Sequence, residues 1–103
     1  MTDLTWTREK VDTAVKGCIV DLLEVDASMV MSDVSLRDLG ADSLHFVDLT
    51  FRLERRFSIR LPPTFTIPDN RTVERFMRAV KSRLARDGRL IGGENLHENE
   101  VAK

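Results

Sequence analysis

Apolar residues recur at intervals of three and four along much of this chain, the spacing that brings side chains onto one face of an α-helix. Over the first such segment they are Val11, Ala14, Val15, Cys18, Ile19 and Leu22. The pattern predicts a helix that starts after a capping threonine, Thr5 or Thr7, and ends near Leu23 or Glu24. Hairpin signals are absent, so we expect an all-α chain.

Two longer helices and one short turn complete the predicted fold. The second helix is expected over residues 43–57, and the last one from a cap at Asn70 or Thr72 to about Gly88. Three prolines between them leave room only for a short third helix at about 64–67. The expectation is a four-helix bundle with three longer helices, one short third helix and a long loop between helices one and two.

The loop before the second helix shows neither helical nor alternating periodicity. A loop of this length needs apolar anchors in a small domain, and four residues are suited to that role. They are Val25, Val30, Leu36 and Leu39. We expect one domain over residues 1–87, followed by a flexible tail over 88–103 that is rich in glycine, asparagine and glutamate.

Composition excludes several classes of protein. The 103 residues are 42% hydrophobic and 32% charged, and no apolar run approaches the length that spans a bilayer. Because the first residues lack the layout of a signal or transit peptide, we expect a cytoplasmic protein without stable membrane insertion. A single cysteine, Cys18, and two distant histidines predict neither an internal disulfide nor a metal site. A monomer is expected.

Charge is segregated along the chain. Residues 1–42 carry nine acidic and four basic side chains, whereas residues 43–91 carry five acidic and eleven basic ones. The arginines of the basic half are spread through amphipathic patterns and do not form one tract, so we expect no nucleic-acid partner.

The predicted second helix has two apolar stripes, separated by roughly 130° on a helical wheel of 100° per residue. The core stripe contains Phe46, Leu49, Thr50, Leu53 and Phe57. The other stripe contains Leu44, Val47 and Phe51, and it is bordered by Asp48, Arg52 and Arg55. An apolar patch with a charged rim is typical of a docking surface. The alternative is that Leu44 and Phe51 lie under the long loop.

The start of this helix is where the sequence indicates chemistry. Asp42 is suited to cap the helix, which leaves the Ser43 hydroxyl exposed beside free backbone amides and the positive end of the helix dipole. Such a position favours a phosphorylated modification. His45 is expected on a different face and supplies no general base, so we expect no catalytic nucleophile. The plain alternative is an ordinary helix cap.

Several features around this serine occur together: the run Leu39-Gly40-Ala41-Asp42-Ser43-Leu44, then Val47, Leu49, Leu53 and Phe57, and then Leu61-Pro62. Over residues 8–85 the chain resembles the acyl carrier protein family. The resemblance implies that a magnesium-dependent phosphopantetheinyl transferase attaches 4'-phosphopantetheine from coenzyme A to Ser43, with Asp42 as part of the motif. It also implies a protein that is not an enzyme. It holds acyl chains as thioesters and delivers them to acyl-loading and acyl-transfer enzymes of fatty acid, lipid or polyketide biosynthesis.

In such a carrier the acyl chain is sheltered between the helices. The residues expected to line that cavity are Phe46, Leu49, Leu53, Phe57, Leu61 and Phe76. Two features depart from the acidic carriers of fatty acid synthesis: the arginines on the second helix, and the bulky Phe46 on its core face. They indicate a specialised member. The run from Asp42 to Leu49 is similar to specialised carriers, including those that supply unusually long acyl chains to bacterial lipid A. The alternatives are a peptidyl or aryl carrier of an assembly line, and a helical interaction module that is never modified.

Overall fold

The computed structural model describes residues 6–91, which form three α-helices, two short 3-10 helices and one pair of two-residue strands. In chain order these are β1 (Trp6–Thr7), α1 (Arg8–Leu23), a 3-10 helix (Ala27–Met29), α2 (Ser43–Phe57), a 3-10 helix (Pro63–Thr66), α3 (Val73–Arg86) and β2 (Leu90–Ile91). The three longer helices confirm the predicted pattern. The short third helix is a four-residue 3-10 helix: Pro63 occupies its first position, which suits proline, and Pro68 leaves no room for the chain to continue as a longer helix.

The expectation of an all-α chain is wrong in one detail. β1 and β2 pair in parallel, with Trp6 opposite Leu90 and Thr7 opposite Ile91. The pairing is held by packing, since the Trp6 ring lies 4.5 Å from the Phe57 ring and Leu90 is buried. It joins the two ends of the described chain.

This strand also corrects the predicted tail. Gly88 has a φ of 72°, a backbone conformation that favours glycine, and it turns the chain back after α3. Arg89 then donates hydrogen bonds to the carbonyl oxygens of Phe57, at 2.6 Å, and Ser58, at 2.9 Å. Residues 88–91 therefore belong to the folded domain, while the rest of the predicted tail, 92–103, lies outside the described residues.

The core lies between the three α-helices and the long loop. Its fully buried side chains are Val11, Val15, Ile19, Val30, Phe46, Leu49, Leu53, Phe57, Val73, Phe76, Val80 and Leu84. Four loop residues anchor the loop as predicted: Val30 and Leu36 are buried, and Val25 and Leu39 pack against the core.

The helix starts are capped in two different ways. The Thr7 side chain accepts a hydrogen bond from the Lys10 amide, which confirms one of the two predicted caps of α1. Thr72 occupies the cap position of α3 but makes no capping hydrogen bond through its side chain. Instead, the amides of Val73 and Glu74 donate to carbonyl oxygens of the long loop, so this loop and α3 fix each other.

No helix within residues 6–91 is both long enough and apolar enough to cross a membrane.

Candidate functional site

Ser43 is the first residue of α2 and is exposed. Asp42 precedes it in an extended conformation and accepts a hydrogen bond from the His45 amide through Oδ1 at 3.1 Å. The Asp42 amide donates in return to His45 Nδ1 at 3.0 Å. This reciprocal pair is a capping box in which a histidine takes the place usually held by Glu or Gln.

The turn at residues 39–41 leads directly into the Asp42 cap. Gly40 has a φ of 95°, which a residue with a side chain adopts only with strain. The amides of Leu39 and Ala41 both donate to the carbonyl of the buried Leu36. Because Leu36 is fixed in the core, the turn bonded to it fixes the positions of Asp42 and Ser43.

The backbone amides of Ser43 and Leu44 have no hydrogen-bond partner among residues 6–91. They point out of the first turn of α2, where the helix dipole also favours negative charge. A phosphodiester on the Ser43 hydroxyl fits this position. The adjacent Asp42 carboxylate opposes a phosphodiester there, but its side chain is 68% exposed and solvent screens its charge.

The same geometry disfavours a nucleophilic serine. His45 Nδ1 is already occupied as the acceptor of the Asp42 amide, so this nitrogen does not serve Ser43 as a base. Within the part of the chain that the structure describes, no three potential metal ligands lie together.

The second apolar stripe of α2 faces solvent. Leu44 is 75% exposed and Phe51 is 59% exposed, while Val47 is half-buried. The alternative in which the long loop covers Leu44 and Phe51 is therefore wrong. Arg52 pairs with Asp48 at 3.1 Å, and Arg55 has no ion-pair partner within residues 6–91, so the rim of this patch keeps uncommitted positive charge.

The residues expected to line an acyl cavity are packed against one another in the core. Phe46 and Phe76 have ring centroids 6.4 Å apart, and Phe65 meets the Phe76 ring edge-on at 5.3 Å. A narrow apolar void lies elsewhere, between α1, the long loop and the start of α2, and it has no room for a water molecule. It is lined by Ile19, Leu22, Leu23, Leu36, Ala41, His45 and Leu49, so it shares only Leu49 with the predicted set.

Sequence reasoning missed two parts of this site. His45 is half of the capping box and also borders the void, and its position three residues after an N-cap aspartate was the available signal. The void itself had no signal in the sequence, because it depends on how the long loop crosses α1.

Comparison with known proteins agrees with the geometry. Residues 13–80 match the family described as Phosphopantetheine attachment site, a range that contains the loop, α2 and most of α3. The chain belongs to this family. Members of this carrier family bear 4'-phosphopantetheine covalently and are not catalytic, and they interact with phosphopantetheinyl transferases and with acyl-processing enzymes.

Two curated relatives of this carrier domain are similar over part of the chain. They are the 6-methylsalicylic acid synthases of Penicillium expansum and Penicillium patulum, each 38% identical over 55 residues. The aligned segment is 53% of this chain and 3% of each synthase, so the similarity concerns one small part of those proteins.

Proposed function

We propose that Ser43 carries the 4'-phosphopantetheine arm and that the domain holds acyl intermediates as thioesters on it. The observation that carries the proposal is the exposed Ser43 hydroxyl at the capped start of α2, beside two unpartnered amides and within the matched range. In forming the bond the hydroxyl would lose its proton and its oxygen would bond to the phosphorus on the pantetheine side of coenzyme A, while the pyrophosphate P–O bond breaks and adenosine 3',5'-bisphosphate leaves. The thiol at the other end of the arm then holds the cargo.

The arm acts by tethering. A thioester attached to the domain reaches each docked enzyme at high effective concentration, without release into solution. The residues of this chain contribute the anchor, Ser43, and a surface that orients it. For that surface we propose the exposed stripe of α2: Leu44, Val47, Asp48, Phe51, Arg52 and Arg55.

The cargo we propose is a short polyketide intermediate. Two observations support it: the relatives named above are 6-methylsalicylic acid synthases, and the void beside the start of α2 is too narrow to admit a water molecule. An acyl chain therefore enters this part of the core only if side chains move, and a short chain requires less movement than a long one. We therefore favour short or aromatic chains over the long acyl chains that the sequence indicated, and delivery to polyketide-forming enzymes over those of fatty acid synthesis.

The charge of the docking stripe supports a choice of partner. Its two arginines, Arg52 and Arg55, replace the acidic rim typical of fatty-acid-synthesis carriers. Charge at an interface rim acts mainly on association rate and on discrimination between partners. Enzymes with acidic or mixed surfaces are the proposed partners.

Attachment is tested by mass. The protein is incubated with coenzyme A and a promiscuous phosphopantetheinyl transferase, and intact masses are compared for the wild type, Ser43→Ala and Ser82→Ala. Ser82 is an exposed serine on α3 and serves as the matched control. We expect the wild type and the control to gain one phosphopantetheine group and Ser43→Ala to gain none. A mass gain in Ser43→Ala contradicts the proposal. If none of the three proteins gains mass, the proposal is also contradicted, and the alternative of an unmodified interaction module is favoured.

A further inference from the structure

A groove runs between α1 and α2. It consists of two adjoining open depressions of about 590 and 610 Å³ that share Arg56. Lys10, Ala14 and Cys18 line its α1 side, at spacings of four residues, and Phe51, Arg55 and Arg56 line its α2 side. We call this surface the α1–α2 groove.

Part of the lining of the groove is apolar. Ala14 and Cys18 are small, half-buried side chains on its α1 side. Trp6 lines one depression and the exposed Phe51 lines the other. Because Phe51 also belongs to the proposed docking stripe of α2, the two surfaces are continuous.

The walls of the groove are mainly basic. Lys10, Arg52, Arg55 and Arg56 line it together with only two acids, Glu9 and Asp48. Asp48 is already paired with Arg52 at 3.1 Å.

Most of this positive charge has no ionic partner. Among residues 6–91, Lys10 and Arg55 make no ion pair, and Arg56 lies over the Trp6 ring at 5.2 Å. A guanidinium on an aromatic face keeps its outward N–H groups available to a carboxylate. The groove thus combines apolar area with unpaired positive charge.

We propose that the α1–α2 groove binds an acidic amphipathic helix of a partner protein, with its carboxylates on Lys10 and Arg56 and an apolar residue over Ala14 and Cys18. This rests on the proposed carrier function, which requires partner enzymes. The groove is suited to carboxylates spaced among apolar residues. Nucleic acid and anionic lipid fit less well, because a continuous phosphate array would meet Glu9 and Asp48.

The dimensions agree with a short helical segment. From Lys10 to Cys18 the α1 wall is about 12 Å long at 1.5 Å per residue, which matches about two turns of a bound helix. Phe51 lies about 12 Å along α2 from Ser43 by the same measure. A partner held in the groove and on the docking stripe would therefore hold the Ser43 end of α2 in one orientation.

The probe is a fluorescein-labelled synthetic helix with glutamates at four-residue spacing and leucines beside them, and its matched control carries lysines in place of the glutamates. Affinity is measured by anisotropy at low and high salt, and the contact surface by amide chemical shifts. We expect the acidic helix to shift amides of α1 and α2 around Ala14 and Arg56. Lys10→Glu and Arg56→Glu should each weaken binding by about 3- to 10-fold at low salt. Arg75→Glu, a reversal of an exposed arginine on α3, should not.

Several outcomes overturn the proposal. The proposal is wrong if the lysine helix binds as tightly as the acidic helix, or if Arg75→Glu weakens binding as much as the groove variants do. It is also wrong if the amide chemical shifts change outside the groove. Stronger binding to phosphatidylserine vesicles or duplex DNA would assign the surface to another ligand. Dimerisation with rising concentration, or tighter peptide binding after deletion of residues 92–103, would show that this chain itself fills the groove.

The proposed carrier function is tested separately. Groove binding is measured on Ser43→Ala as well as on the wild type, because the groove does not need the arm. If Ser43 gains no phosphopantetheine, the carrier proposal fails but the binding assay still decides the groove proposal. If the acidic helix does not bind, the groove proposal fails but the intact masses still decide the carrier proposal.

Discussion

Asp42 and His45 cap each other at the start of α2, through hydrogen bonds of 3.1 and 3.0 Å that run in opposite directions between backbone and side chain. Ser43 lies between them in the chain and takes part in neither bond. The pair therefore fixes the first turn of α2 while leaving the serine hydroxyl accessible.

Loss of the Asp42 side chain should destabilise the domain. Asp42→Ala is expected to lower the free energy of unfolding by about 1 kcal/mol, because the His45 amide loses its acceptor. In a domain of this size the melting temperature falls by about 4–8 °C for such a change. Asp42→Asn keeps an oxygen acceptor. Because Asn and Asp are about equally good N-caps, its free energy of unfolding should stay within about a few tenths of a kcal/mol of the wild-type value. Urea unfolding measures both, and equal stability of Asp42→Ala and Asp42→Asn would contradict the role of the cap.

The Thr50 hydroxyl links α2 to the second 3-10 helix by a hydrogen bond. This buried hydroxyl lies 2.8 Å from the Phe46 carbonyl and 3.1 Å from the Phe65 carbonyl. Thr50→Val replaces the hydroxyl with a methyl of similar size. The Phe46 carbonyl keeps the Thr50 amide as its donor within α2, whereas the Phe65 carbonyl loses the hydroxyl, so we expect the free energy of unfolding to fall by about 1–2 kcal/mol. Thr50→Ser retains the donor and controls for the hydroxyl. If the valine variant proves as stable as the wild type in the same urea titration, the hydroxyl does not hold these two elements together.

Cys18 should be a slow nucleophile. Burial raises the pKa of its thiol, and Arg56 and Arg52 partly offset that rise by favouring the thiolate. The alkylation rate with iodoacetamide should therefore reach its midpoint at a higher pH in the native protein than in the urea-unfolded one. Arg56→Gln removes one favourable charge and should move the midpoint higher still. A midpoint that moves to lower pH in Arg56→Gln would contradict this account of the charges.

Charge on the docking stripe should control how fast partners associate. Reversal at Arg52 and Arg55 to glutamate is expected to slow acyl transfer from the enzyme that loads this carrier, by about 10-fold or more at low salt and less at high salt. The double reversal Arg75→Glu with Arg86→Glu provides the control, since it reverses the same number of exposed arginines on α3. Unchanged transfer rates at low salt in the double variant of Arg52 and Arg55 would refute a docking role for these two arginines.

The features that could be predicted are those set by residues close together in the sequence. Helical periodicity and capping depend on residues three or four positions apart, so the bounds of α2, the Asp42 cap and the exposed Ser43 followed from the residues around them. The separation of the two stripes of α2 followed in the same way, but the structure was needed to show that Leu44 and Phe51 are exposed and not covered by the long loop.

The sequence by itself determined three helices, their inward faces and the position of one exposed serine. Only the tertiary structure decided the features that join distant residues. These are the pairing of Trp6 with Leu90, the capping of α3 by loop carbonyls, the small void beside His45 and the α1–α2 groove. Each of these features depends on which surfaces come into contact when the helices pack. A pattern that repeats every few residues specifies the buried face of a helix, but it does not specify which distant residues that face contacts.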